Sequence, residues 1–314
     1  MDILLLLLGL TLILGGANYL TDGASALAQR LRMPEFLIGL TIVAIGTSMP
    51  EMVVSVLSSI NGQSDMAIGN VVGSNIFNVF VVLGVCSIIH PIAFTKENIR
   101  FDIPVCVLVS ALLILMASDT FIGWSDANTI ARLDGTIMLV LYIGLMIWTI
   151  RMAKRPEKDE NAPKPMAWWL TIVMIVGGLC GLIFGGNLFL DSATNIARSL
   201  GVSESVIAIT LVAGGTSLPE LASSVVSLIK GKADMALGNV IGSNIANILL
   251  ILGLSATITP LSLGGITPFD LMMVVLSAML VFATSITFRR NRLDRPEGVI
   301  FLVIYALYIY RLIA

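Results

Sequence analysis

The sequence predicts an all-α polytopic membrane protein of ten transmembrane helices, arranged as two inverted five-helix repeats. Three observations predict it. Of the 314 residues, 57% are hydrophobic and only 12% are charged, whereas a soluble domain carries about 25% charged residues. The first half of the chain recurs in the second at a fixed offset of 169 residues. The Lys and Arg residues also fall almost entirely on alternate loops. With a mean hydropathy of +0.97, too little polar surface remains to keep a globule of this size in water. A soluble enzyme, a secreted disulfide scaffold and a nucleic-acid-binding protein are excluded.

A helix needs about 20 apolar residues to cross a bilayer. Apolar runs place spans at 2–20, 35–60, 65–90, 101–118 and 131–150, and then at 167–190, 203–229, 234–259, 268–287 and 297–313. The first run follows Asp2, where a signal peptide would carry positive charge, so it reads as a span and not a cleaved leader. His90, the only histidine, lies directly before Pro91 and reads as a helix-end residue. Cys86, Cys106 and Cys180 lack metal or CxxC spacing and read as buried small hydrophobes. Residues 1–150 form the first repeat and 167–314 the second. Between them, 151–166 is charge-dense and proline-bearing, a cytoplasmic linker too short to fold alone.

The duplication is specific. Asn18 matches Asn187, Asp22 matches Asp191, Glu35 matches Glu204 and Pro91 matches Pro260. Between 39–84 and 208–253, 26 of 46 positions are identical without a gap. Hydrophobic bias would pair Leu with Val, but not every acid and amide. Five spans per repeat is an odd number, so the second copy enters the membrane inverted. The positive-inside rule agrees: with the N-terminus outside, 15 of the 18 Lys and Arg lie on the inner side, leaving only Arg132, Arg198 and Arg311 outside. Both termini are expected to face outward.

Most acidic residues lie at span ends or in loops. Glu51 and Glu220 sit mid-span, where an ionised side chain costs about 2.5–3.5 kcal/mol on insertion scales and marks a partner, a cavity or an ion. They close two copies of one motif, GTSMPE at 46–51 and GTSLPE at 215–220. Pro50 and Pro219 lack an N–H and are expected to free carbonyls near Thr47 and Thr216. Open backbone in a bilayer is tolerated only where protein or an aqueous cavity satisfies it. The spans that follow carry GNVVGSNIFN at 69–78 and GNVIGSNIAN at 238–247. Ser74 and Asn78 share one helix face, as do Ser243 and Asn247; interhelical hydrogen bonding competes with ligation for the amides. Gly69, Gly73, Gly238 and Gly242 are expected to let helices approach closely. Carboxylates, hydroxyls, amides and carbonyls are oxygen ligands, which suit Ca²⁺ or Na⁺ and not Zn²⁺. Two carboxylates match one Ca²⁺ or a small group of monovalent ions. Inverted repeats with broken helices meeting near the midplane are the arrangement of a secondary transporter, without a cofactor and without an enzymatic reaction.

On these motifs the chain resembles the sodium/calcium exchanger family within the cation/calcium antiporters, closest to the compact prokaryotic members. The resemblance spans the whole chain. It implies Ca²⁺ held by Glu51 and Glu220 with the carbonyls of Thr47 and Thr216. It further implies Na⁺ sites that draw on the same glutamates, on Ser48, Ser74, Ser217 and Ser243, and on the carbonyls of Ala44 and Ala213. Asn78 and Asn247 would line the middle of the cluster. Several relatives carry Asp where Asn247 stands, and the amide argues against potassium-dependent exchange. Spans 1 and 6, with Gly15, Gly16, Gly185 and Gly186, are the moving pair that the resemblance implies.

The expected activity is Na⁺/Ca²⁺ antiport by alternating access in a prokaryotic cytoplasmic membrane, with the bilayer as the surroundings and no protein partner. An empty site of charge −2 at low dielectric is costly, which disfavours switching without bound cation. Ca²⁺/H⁺ antiport is the nearest rival, since protonation of the glutamates would also release Ca²⁺. A cation channel with a glutamate selectivity ring is the rival of another class.

Overall fold

Long helices form wherever the apolar runs meet no breaker, and the chain is described by a computed structural model over residues 1–118, 128–153, 166–201, 213–287 and 291–313. Helix α1 spans Asp2–Leu31, α2 Glu35–Thr47 and α3 Met49–Ile60. Helix α4 is Ser64–Ile89, α5 Asn98–Met116 and α6 Arg132–Met152. Helix α7 is Trp168–Ser199 and α8 Leu218–Ile229, followed by α9 Ala233–Ile258 and α10 Pro268–Ile286. Helix α11 is Arg295–Ile313. Seven of these helices are long and apolar enough to cross a membrane, or eight with the bent pair α2–α3 taken as one span. The protein is an integral, multi-pass membrane protein. Of the expected span 203–229, the first ten residues lie outside the described residues, as does 154–165 of the linker.

Helices α1 and α7 run on past the expected limits at residues 20 and 190. At 30 and 32 residues they extend for about 45–48 Å, more than the roughly 30 Å hydrocarbon core. The reason is local: Ala24, Ala26, Leu27, Ala28 and Gln29 are strong helix formers, and no proline intervenes before Pro34. The helix stops at Arg32, whose left-handed backbone (φ 52°) returns its N–H to Ala28 and Gln29 carbonyls.

The chain divides into two compact units, neither of which coincides with a sequence repeat. The first unit comprises Met1–Ser48, Ile147–Gly242 and Ala306–Ala314, and the second Met49–Met146 and Ser243–Tyr305. In the first unit α1 lies backbone to backbone against α7. A Cβ added at Gly16 would come within 2.7 Å of the Gly178 carbonyl, and one at Gly185 within 2.8 Å of the Gly9 carbonyl. Gly15 faces open space and Gly186 meets only the Pro219 ring at 3.8 Å, so the close contact belongs to Gly9, Gly16, Gly178 and Gly185. Ile13, Ala17, Leu20 and Ala24 of α1 continue this core with Leu182 of α7, Ile38 and Val43 of α2, and Met235 of α9. At one end of the unit Lys230 pairs with Asp22 at 2.6 Å and Lys232 with Glu35.

The second unit packs α3 on α4 and α5 on α10, with Phe80 and Phe301 edge to face at 5.7 Å. Ser59 Oγ donates to the Ser255 carbonyl at 2.8 Å. The all-α expectation needs a small correction here. Two antiparallel ladders of two residues join Ile92–Ala93 to Arg292–Leu293, and Thr129–Ile130 to Leu261–Ser262. Pro91 and Pro260 explain two of these strands. The residue before a proline is pushed out of the helical region, and His90 and Thr259 are both extended, with φ −149° and −141°. His90 is the helix-end residue expected of it. In each repeat a glycine makes the turn between the motif-bearing helices: Gly62 (φ 73°) joins α3 to α4, and Gly231 (φ 76°) joins α8 to α9.

Cys86 and Cys106 are buried, but Cys180 is exposed. It lies on a face of α7 that also exposes Ile172, Val173, Val176 and Phe184. An apolar helix whose large side chains point outward has lipid as its solvent, so exposure there is compatible with a small hydrophobe.

Candidate functional site

Both Pro-Glu motifs break their helices at matched serines. Ser48 (φ −82°, ψ 10°) and Ser217 (φ −89°, ψ 8°) occupy the sparsely allowed bridge region. Helix α2 ends at Thr47 and α3 begins at Met49, with a bend of 48° between them. On the other side a single turn, Ala213–Gly215, precedes Thr216, Ser217 and α8. Pro50 has no N–H to reach the Gly46 carbonyl, while the Ala44 carbonyl keeps its helical bond from the Ser48 N–H at 3.0 Å and also accepts from Thr47 Oγ1 at 3.4 Å.

In the first unit, Glu220 is fully buried in the first turn of α8. Ser48 Oγ donates to its Oε1 at 2.8 Å. Asn239, on α9, holds the backbone behind it. The Asn239 amide donates to Ser223 and Ser224 hydroxyls at 2.9 Å each and to the Glu220 carbonyl at 3.5 Å. Thr47 Oγ1 in turn donates to Asn239 Oδ1 at 3.2 Å. Thr47, Ser48 and Glu220, separated by about 170 positions, are thus brought together. Ser217 is buried and Thr216 half-buried.

In the second unit, Glu51 is equally buried and accepts from Ser74 Oγ at 3.4 Å. Asn70 donates to the Glu51 carbonyl at 3.1 Å and to Ser55 Oγ at 2.9 Å. These are the counterparts, one for one, of the Asn239 bonds to Glu220 and Ser224. Ser243, Asn78 and Asn247 are also buried. Asn78 and Asn247 each open a π-helical stretch, Asn78–Leu83 in α4 and Asn247–Leu252 in α9. Such local widening of a helix is frequent at functional sites.

Four residues that the sequence reading did not assign to the site are hydrogen-bonded to its candidate residues. Asn70 and Asn239 carry the backbone of each glutamate, while Asn75 and Asn244 bond to Asn247 and Asn78. The available signal was their identity across the two repeats inside otherwise apolar spans. The glycine expectation holds in part. A Cβ at Gly238 or Gly242 would strike the carbonyl of Phe36 or Leu40 at 2.2 and 2.3 Å. Gly73 meets nothing within 4 Å, and Gly69 only the tip of Ile266 at 3.3 Å.

Chemically, the site residues offer carboxylate, hydroxyl, amide and carbonyl oxygens. Among the described residues no three His, Cys, Asp or Glu gather as a metal cluster. Hard cations are what such oxygens select.

The model of the sodium/calcium exchanger protein family matches residues 1–151 and 170–314. The chain belongs to the sodium/calcium exchanger family. It is 30% identical to the sodium/calcium exchanger MaX1 of Methanosarcina acetivorans, covering 98% of this chain and 97% of that one. It is 32% identical to the inner membrane protein YrbG of Escherichia coli, over 94% and 92% of the two chains. A solved structure of the sodium-calcium exchanger NCX_Mj, soaked with Na⁺ and without Ca²⁺, superposes with a TM-score of 0.85 and 31% identity over 98% of both chains. This exchanger family transports ions and is not a family of enzymes. It takes Na⁺ and Ca²⁺ as substrates and needs no cofactor for them.

Proposed function

We propose that this sodium/calcium exchanger runs as a secondary antiporter that moves Na⁺ one way and Ca²⁺ the other by alternating access. The observation that carries the reading is the pair of fully buried glutamates, each with a hydroxyl on its carboxylate and an asparagine on its backbone. A buried carboxylate is costly unless paired or placed beside a cation. Cancelling that charge with Ca²⁺ or several Na⁺ is the step that lets the loaded carrier change face. Glu51 and Glu220 are the principal ligands in this reading. Ser48, Ser74, Ser217 and Ser243, the amide oxygens of Asn78 and Asn247, and the carbonyls of Ala44, Thr47, Ala213 and Thr216 supply the remaining oxygens.

The finer architecture belongs to the same proposal. It has ten spans in two inverted repeats, 1–150 and 167–314, with 151–166 as a cytoplasmic linker and both termini outside a prokaryotic cytoplasmic membrane. The duplicated hydrogen bonds of Asn70 and Asn239, the matched backbone conformations of Ser48 and Ser217 and the basic residues on alternate loops support it. The smooth glycine contact between α1 and α7 supports their moving as a pair.

The deciding experiment is ⁴⁵Ca²⁺ uptake into proteoliposomes with Na⁺, K⁺ and pH gradients imposed one at a time. An outward Na⁺ gradient at clamped pH should drive uptake, and K⁺ should be without effect. Uptake driven by a pH gradient alone would replace this reading with Ca²⁺/H⁺ antiport. Single-channel currents without a counter-ion would make the protein a channel.

A further inference from the structure

Asn78 and Asn247 are buried amides with an uneven hydrogen-bond balance. Asn78 Nδ2 donates to Asn244 Oδ1 at 3.1 Å, and Asn247 Nδ2 donates to Asn75 Oδ1 at 3.2 Å. In the repeat correspondence Asn75 matches Asn244 and Asn78 matches Asn247, so the two bonds are one bond made twice. In both ligand-candidate amides the oxygen is left over: Asn78 Oδ1 and Asn247 Oδ1 are buried without a hydrogen-bond partner. A buried acceptor left open is costly, and a cation would satisfy it.

Which way an amide faces must be settled by its neighbours, and here one neighbour settles it. Asn244 Nδ2 lies 3.4 Å from the Asn75 backbone carbonyl. A carbonyl only accepts, so the Asn244 atom facing it is the NH₂ group. Its Oδ1 therefore faces Asn78, and an oxygen can only be met there by the Asn78 NH₂. The Asn78 oxygen is the end left without a hydrogen-bond partner. Asn75 has no such anchor, because its own Nδ2 is buried without a partner. The two locks are alike in pattern and unequal in strength.

We infer that Asn244 and Asn75 are positioning residues that hold Asn78 and Asn247 with their amide oxygens presented to the transported cation, with Asn244 the firmer of the two. Neither touches the ion. Each spends the NH₂ group of its partner, which would otherwise be free to turn a donor toward a positive charge. The inference rests on the reading of Asn78 and Asn247 as ligands, deepens it to a second layer of residues, and assigns a task to two of the four asparagines that the motif reading left unexplained.

A double-mutant cycle on Na⁺-driven ⁴⁵Ca²⁺ uptake by the full chain in proteoliposomes tests it. Asn78→Ala and Asn244→Ala should each weaken apparent Na⁺ affinity by about fivefold, the worth of one hydrogen bond, with maximal rate changed less. The double variant should be no worse than Asn78→Ala alone, because Asn244 acts through Asn78. Asn75→Ala should weaken affinity less than Asn244→Ala. Asn244→Asp keeps an acceptor oxygen in place and should recover most of the loss at pH values where its acid is protonated. Additive losses, or unchanged affinity in Asn244→Ala with a lowered melting temperature, would reduce Asn244 to a packing residue and overturn the inference. Unchanged affinity in Asn78→Ala would instead remove the ligand reading beneath it. Should Asn244→Ala fail to insert, Asn244→Ser carries the same comparison with the same expected direction.

Discussion

The surroundings of Glu220 and Glu51 share one arrangement of the backbone, and the hydroxyls that meet the two carboxylates differ in origin. Around Glu220 a serine hydroxyl sits 2.8 Å from the carboxylate, and Asn239 ties three α8 groups and Thr47 together. Around Glu51 a hydroxyl from its own repeat, that of Ser74, stands at 3.4 Å, and Asn70 ties the Glu51 carbonyl and Ser55. Hydrogen bonds to charged groups are worth about 1.5–3 kcal/mol and weaken with distance and misalignment. The difference teaches that a carboxylate can be met by a hydroxyl from the other repeat, as Glu220 is by Ser48, or from its own, as Glu51 is by Ser74. Of these two contacts the Ser48 bond is the shorter and the Ser74 bond the longer.

The strongest way to break this comparison is to remove both charges in turn. Glu51→Gln and Glu220→Gln should each reduce Na⁺-driven ⁴⁵Ca²⁺ uptake to background while the protein still purifies as an inserted species. Retained transport in either variant would remove the central claim. Next in size, Asn239→Ala and Asn70→Ala should each lower the unfolding temperature. Each leaves buried groups unpaired, at about 1–3 kcal/mol apiece, and an unchanged unfolding temperature in either variant would show that its amide does not hold the backbone of its glutamate. Ser48→Ala should weaken Ca²⁺ affinity by about tenfold or more in isothermal titration, since it deletes the short bond to Glu220. Ser74→Ala should cost only a few-fold, and the reverse ranking would refute the asymmetry. Smallest is Asn247→Asp, expected to shift the preference between Na⁺ and K⁺ in flux assays without ending exchange.

Much of this was legible from the residues. A mid-span Glu beside Pro, present twice, pointed to the site because charge and a missing N–H are expensive in hydrocarbon whatever the tertiary structure. The seven or eight spans found among the described residues, of the ten expected, were legible for the same reason. The ends of α1 and α7 were not, since hydropathy measures what must lie in lipid and is silent on helix that continues beyond it. Asn75 and Asn244 escaped because an asparagine's role depends on which of its two ends meets a donor, and only packing decides that. The two short β-ladders follow from prolines the sequence displayed, but their partners lie about 130–200 residues away.

The two compact units each draw on both halves of the chain: 1–48 lies with 147–242, and 49–146 with 243–305. A cut in the linker would therefore yield two polypeptides, and neither would contain a whole folding unit. Each would lack the elements of the other half that complete its units, so co-expressed fragments should reassemble only by combining. For a cell making this protein, residues 1–48 and 49–146 meet their partners in 147–242 and 243–305 only after the second half has been translated.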